Sequence, residues 1–181
     1  SSITGATVVR TNFTNPTLLT SYPTALQVGK FTPTTLYVGT SNSKLLKLVN
    51  ASTVTAAAST AGTGWSDISI GSGFVGTISD IEFGATDNQI FVTLKNYGTT
   101  NVWYTTNGGT NWYNIEGNLP DLPVHTILQN PLNTSEIMIG TELGVWYANT
   151  FNPATTANQS LNWMQAYNGM SGVKVTDLDL Q

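Results

Sequence analysis

Cysteine is absent from the chain, which excludes disulfides and thiolate metal sites. Charge is scarce: only 9% of residues are charged, against about a quarter in an ordinary globular chain. The six basic residues, Arg10, Lys30, Lys44, Lys47, Lys95 and Lys174, are scattered. They form no basic patch to follow a phosphate backbone, so nucleic acid is not an expected partner. One histidine, His125, leaves no second imidazole for a metal pair or a His-based catalytic pair. No apolar run reaches the length of a membrane-spanning helix, and no secretory leader is visible. The opening Ser1-Ser2-Ile3-Thr4, with no initiator Met, reads as the start of a processed or excised piece. Nothing in the chain calls for a cofactor: no glycine-rich phosphate loop occurs, and Gly108-Gly109 has no lysine after it.

What fills the space left by charge is Thr, Ser and Asn, about a third of the 181 residues. Thr favours strands, while Asn and Gly favour turns, so this composition suits many short strands joined by polar turns. Helical periodicity is nearly missing, and short alternating stretches bounded by Gly, Asn and Pro dominate. The fold class read from this is all-β.

The alternating stretches repeat. Leu26-Gln27-Val28 is followed by Leu36-Tyr37-Val38-Gly39-Thr40, Ile81-Glu82-Phe83 by Ile90-Phe91-Val92-Thr93, and Ile127-Leu128 by Ile137-Met138-Ile139-Gly140-Thr141. Leu178-Asp179-Leu180 begins an incomplete copy. Leu26, Ile81, Ile127 and Leu178 are spaced by 55, 46 and 51 residues. Each unit has room for four strands, read as 78–83, 89–94, 101–106 and 111–116 in the second and 124–129, 136–141, 144–149 and 162–167 in the third. Four strands per unit of this length is the arithmetic of a propeller blade. The chain is therefore expected to be a partial β-propeller of about three four-stranded antiparallel blades with flanking strands. Residues 1–24 would be outer strands of a preceding blade. Blades would follow at 25–77, 78–123 and 124–173, and 174–181 would be the innermost strand of the next.

Residues 105–112, Thr-Thr-Asn-Gly-Gly-Thr-Asn-Trp, resemble the Asp-box of sialidase-like and BNR-repeat propellers, Ser/Thr-x-Asp-x-Gly-x-x-Trp. Thr105, Asn107, Gly109 and Trp112 fill its four positions, with Asn in place of Asp. Gly62 with Trp65, and Trp163 alone, look like eroded copies. Such a box implies a structural role, shared by enzymes and non-enzymes. A sialidase itself would need an arginine cluster, and Arg10 stands alone. Asn96-Tyr97-Gly98, Asn101-Val102-Trp103-Tyr104, Glu116-Gly117-Asn118-Leu119-Pro120-Asp121, Thr141-Glu142-Leu143-Gly144-Val145-Trp146 and Gly172-Val173-Lys174-Val175 resemble the propeller region of large secreted bacterial surface proteins, often ending in a type IX sorting domain. That likeness covers roughly 75–181 and implies a secreted or cell-surface location.

The repeat also sorts candidate site residues, since a side chain recurring in one column of each unit is expected to be packing. Trp103 and Trp146 share a column, read as packing between blades, with a sugar-stacking platform as the alternative. Asp80 and Asp177 share another, Glu82 and Asp179 the next, with strand period two placing each pair on one side. A glycosidase needs two carboxylates across a sugar, so Asp80 and Asp177 are the catalytic candidates; a bound cation or water, or a solvated channel wall, are the other readings. His125 breaks its column and reads as polar packing at a blade junction. Tyr97, Trp163 and Tyr167 are the candidate ligand-contacting rim. No metal site is expected. Two functions remain open. One is a non-catalytic scaffold or binding module meeting polysaccharide or protein through its loops. The other is a fragment of a propeller glycoside hydrolase of xyloglucanase type. The expected partner in either case is the remainder of a propeller or a second copy.

Overall fold

The structure is a computed structural model that describes residues 17–51, 64–166, 169 and 172–179. Twelve strands lie among them, with one 3₁₀ turn at Gly71–Gly73. Strands β1 (Pro23–Val28), β2 (Leu36–Thr40), β3 (Leu45–Leu48) and β4 (Trp65–Asp67) form the first sheet. Strands β5 (Ile78–Phe83), β6 (Ile90–Leu94), β7 (Val102–Thr105) and β8 (Tyr113–Asn114) form the second. Strands β9 (Val124–Gln129), β10 (Ile137–Thr141), β11 (Gly144–Ala148) and β12 (Met164–Gln165) form the third. Each sheet is an antiparallel meander in chain order, and the first strands β1, β5 and β9 pack side by side. These are three blades of a β-propeller.

The outer strands are shorter than their alternating sequence suggests. β8 and β12 each make two residue pairs with the strand before them. The residues just before them, Trp112 and Trp163, are held by side-chain packing in the clusters between blades. Strand β1 starts at Pro23, two residues before the expected boundary, and 17–22 hold no strand. The strand-like stretch before residue 17 lies outside the described residues, as does Gly62. Residues 174–179 hold no strand either, because no second strand pairs with them among the described residues. Their backbone is nonetheless pinned to the third blade: Gly144 N–H donates to Val173 O and Val175 N–H to Thr141 O.

The core lies between blades. All five residues of β6 are buried, with alternate side chains leaving opposite faces. Ile90, Val92 and Leu94 join Tyr37, Leu45 and Phe74 between the first and second blades. Phe91 joins Val124, Ile127, Ile137 and Ile139 between the second and third. Close approach is set by small residues on the central strands. A Cβ on Gly39 would run into the Ile78 side chain of the next blade. A Cβ on Gly140 would stand 2.8 Å from Val175 Cγ1. Val175 thus sits against the third blade as Ile78 sits against the first.

Candidate functional site

Asp80 and Glu82 share the inner strand β5, where the charges of Asp177 and Asp179 are felt, but Asp80 is engaged. Its Oδ2 accepts the N–H of Ile127 on β9 at 3.0 Å, and its Oδ1 accepts its neighbour Ile81 N–H at 2.8 Å. The Thr126 hydroxyl donates to it as well. Burial pushes the Asp80 carboxyl above the usual range, these donors pull it back, and the charge of Asp177 adds to the rise. Glu82 is also raised, by burial first and then by the Asp80 charge, with Lys30 opposing and Asp179 adding. Asp177 and Asp179 are exposed. Among the described residues no group of three His, Cys, Asp or Glu side chains is placed to hold a metal ion. Asp80 ties two inner strands of neighbouring blades together through a carboxylate with three donors.

Glu82 gives a pH test of this crowding. Its folded pKa lies above its ordinary 4.5, so its contribution to stability is full below that value and is lost as pH rises through the raised one. Glu82→Gln is expected to reduce the fall in melting temperature as pH climbs from 4.5 to neutrality. A profile parallel to the parent's would refute the crowding.

The turn after β7 consumes its own polar groups. Thr105 Oγ1 accepts the N–H of Asn107 at 3.3 Å and of Gly109 at 3.1 Å, and donates to Asn107 Oδ1 at 3.0 Å. Asn107 Oδ1 also accepts Asn111 N–H at 2.9 Å. One amide oxygen meets both donors within the turn. Gly109 has φ +94, which a side chain would oppose. Trp112 follows, packs edge-on against Phe74 at 5.0 Å, and donates its indole N–H to Ile68 O of the first blade at 2.8 Å.

Trp163 repeats that arrangement one blade on and lies in the core between blades rather than on an open rim. It is 2% exposed, and its indole N–H donates to Ile115 O of the second blade at 3.2 Å. The 152–162 insertion beside it does not form a free rim. Gln159 N–H donates to Asn114 O, Asn114 N–H to Asn158 Oδ1, and the Tyr104 hydroxyl to Pro153 O. The insertion therefore covers the outer edge of the second blade, at β8, where unpaired N–H and C=O groups would otherwise face outward. Tyr167 lies outside the described residues.

Trp103 and Trp146 each donate the indole N–H to the carbonyl three residues before, Thr100 at 3.0 Å and Leu143 at 3.1 Å. Both contact the core between blades, Trp103 buried and Trp146 partly so. His125 Nε2 pairs with Glu142 Oε2 at 2.7 Å, and Lys174 Nζ reaches the same oxygen at 3.2 Å. These two contacts hold the Glu142 carboxyl below its usual range.

Tyr97 remains open to solvent, 64% exposed on the hairpin between β6 and β7. Beside that hairpin is a cleft of about 470 Å³, lined among others by Gly98, Thr100, Asn114, Glu116 and Asp121. Asp121 Oδ1 accepts Gly98 N–H at 2.7 Å, and Glu116 Oε2 accepts Asn101 N–H at 2.8 Å. Burial raises the Glu116 carboxyl. The sequence offered no signal for this cleft, because its walls come from a hairpin and a blade exit about 20 residues apart.

No protein-family model and no curated protein matches the chain. Among solved structures it is similar to the computationally designed Ika8 protein, with a TM-score of 0.55 and 15% identity over 89% of this chain and 41% of that one. It is similar to the GH74 xyloglucanase from Xanthomonas campestris, with a TM-score of 0.50 and 15% identity over 77% of this chain and 21% of that one. An ancestral GH74 enzyme matches with a TM-score of 0.53 and 16% identity over 80% of this chain and 18% of that one. The chain thus spans less than half of Ika8 and about a fifth of the GH74 enzymes. At these identities the likeness is one of fold.

Proposed function

We propose that the chain is a non-catalytic propeller arc, a scaffold and binding module of a secreted or cell-surface bacterial protein. The observation that carries this reading is Asp80: both oxygens of this half-buried carboxylate already accept, Oδ2 from Ile127 N–H and Oδ1 from Ile81 N–H. A general acid or base must keep an oxygen free for the proton it moves. Polysaccharide or protein would be met through loops, and the Tyr97 hairpin with its adjoining cleft is the surface we assign to that contact. An exposed aromatic ring on a hairpin beside hydroxyl, amide and carboxylate groups suits a neutral glycan. The remainder of a propeller, or a second copy, is the partner this arc fits.

A second reading, a fragment of a propeller glycoside hydrolase, draws support from Asp177, whose charge is felt at Asp80. One assay separates the two. The 181-residue chain is expected to release no reducing sugar from xyloglucan or β-glucan. Turnover abolished by Asp80→Asn or Asp177→Asn would establish the hydrolase reading instead.

A further inference from the structure

The first turns of the three blades converge. Residues 29–35 follow β1, 84–89 follow β5 and 130–136 follow β9. Where these turns meet they enclose a pocket of about 210 Å³, walled by Phe31, Phe83, Ala85 and Pro131 and edged by Lys30 and Gln129. The Tyr97 hairpin leaves the other end of β6, so its cleft opens on the opposite face of the arc.

Two side chains are prepared for an occupant. Phe31 is 58% exposed, yet its backbone is fixed, because its N–H donates to Asp87 Oδ1 of the second blade at 2.9 Å. Gly29 N–H donates to Thr35 O and Thr35 N–H to Thr32 O, so the turn that carries the ring is closed on itself. An aromatic wall already held in place needs little ordering when a ligand arrives. Gln129 is 8% exposed, and its Nε2 donates to Thr134 O at 2.7 Å. Its Oε1 accepts nothing among the described residues and lies against Gly84, where a Cβ would stand 3.1 Å from it. A polar side chain buried to this degree normally has its acceptor met.

The chemistry of the walls selects the ligand. Pockets that take drug-sized molecules hold about 300–1,000 Å³, so this one has room for a single ring. Phe31, Phe83, Ala85 and Pro131 offer that ring apolar surface. Gln129 Oε1 asks for a donor, and Lys30 Nζ, 5.8 Å from the centre of the Phe31 ring, offers one. A pyranose has an apolar C–H face together with hydroxyls that both donate and accept. An aromatic side chain has the face without the set of hydroxyls. An anion is disfavoured, because the charge of Lys30 already acts on Glu82, and the charges of Asp80 and Asp179 crowd the same carboxylate.

We propose that this pocket binds one neutral pyranose unit of a glycan, with the apolar face of the sugar on Phe31, one hydroxyl donating to Gln129 Oε1 and another accepting from Lys30 Nζ. It is a second sugar site, built from residues other than those of the Tyr97 cleft, so either site can fail without the other.

The test is titration of the ¹⁵N-labelled 181-residue chain with methyl β-D-glucopyranoside, methyl β-D-galactopyranoside and methyl α-D-mannopyranoside, followed by NMR at the Gln129 side-chain amide. At least one of the three is expected to shift that signal saturably. Phe31→Ala, at an exposed position, should melt like the parent and weaken the binding by about tenfold or more. Tyr97→Ala should leave it unchanged. A Gln129 amide that none of the three glycosides moves saturably would overturn the proposal. So would binding that survives Phe31→Ala at parental strength, or binding that Tyr97→Ala removes, which puts the sugar on the other face. Tighter binding of methyl β-D-glucuronide or of N-acetyltyrosinamide would overturn it as well, making the ligand an anion or a peptide side chain.

Discussion

Gly117→Ala is expected to lose more than about 4 kcal/mol of stability, the range reached only by severe backbone or core disruption. Gly117 has φ +55, and a Cβ there would overlap both the carbonyl oxygen and the backbone nitrogen of Leu161. Those atoms cannot swing aside as a side-chain end would. They belong to the tie between the second and third blades, where Asn118 N–H donates to Leu161 O at 3.1 Å and Asn118 Oδ1 accepts Trp163 N–H at 2.6 Å. Forcing them apart breaks that tie and lifts Trp163 out of the junction. Gly98→Ala is the control, since Gly98 also has positive φ, +72, but open space around it. It should lose only the strain, about 1–3 kcal/mol. Denaturant melts of the two variants decide the matter, and equal midpoints would refute the clash.

Trp112→Ala should cost about 3–5 kcal/mol, the usual toll for truncating a buried tryptophan. At this chain length that corresponds to a melting temperature lower by roughly 10 °C. Trp112 is 7% exposed, stacks edge-on with Phe74, and satisfies Ile68 O across the junction. Truncation removes the ring and leaves that carbonyl unmet. Trp112→Phe keeps part of the packing and should fall between. Calorimetry on the three proteins, with any glycan affinity measured on folded material, separates structure from binding. A Trp112→Ala protein that melts like the parent but loses a ligand would make Trp112 a contact residue.

The three blades were legible because their sequences alternate in short runs and the runs recur. Ile81 with Ile90–Thr93, and Ile127 with Ile137–Thr141, fall in β5, β6, β9 and β10. The turn at 105–112 was legible for a local reason: Thr105, Asn107 and Gly109 bond or bend within five residues. What escaped notice involves partners distant in sequence. Trp163 looks like a rim residue until the 152–162 insertion, rich in Asn and Thr and without a period of its own, is seen to be held by Asn114 on β8. The donors that occupy Asp80 are backbone N–H groups and a hydroxyl, and the most distant, Ile127, is 47 residues away. No composition or spacing rule announces them. The Glu142 tie between His125 and Lys174 is likewise invisible in a chain with so few charges to pair.

The alternation along β6 has a consequence for how the molecule can be cut. One face of that strand belongs to one cluster and the other face to another, so a blade owns no complete core. The indivisible unit is the seam, half from each of two neighbours, and stability accrues seam by seam as in a one-dimensional stack. Exchanging residues 78–123 for a foreign blade would halve two hydrophobic clusters at once. A crossover placed within a sheet, between its second and third strands, would divide the same clusters differently but still sever them. Modular recombination of such an arc therefore has to conserve pairs of facing surfaces, and the boundaries drawn by counting strands are not the boundaries of cohesion.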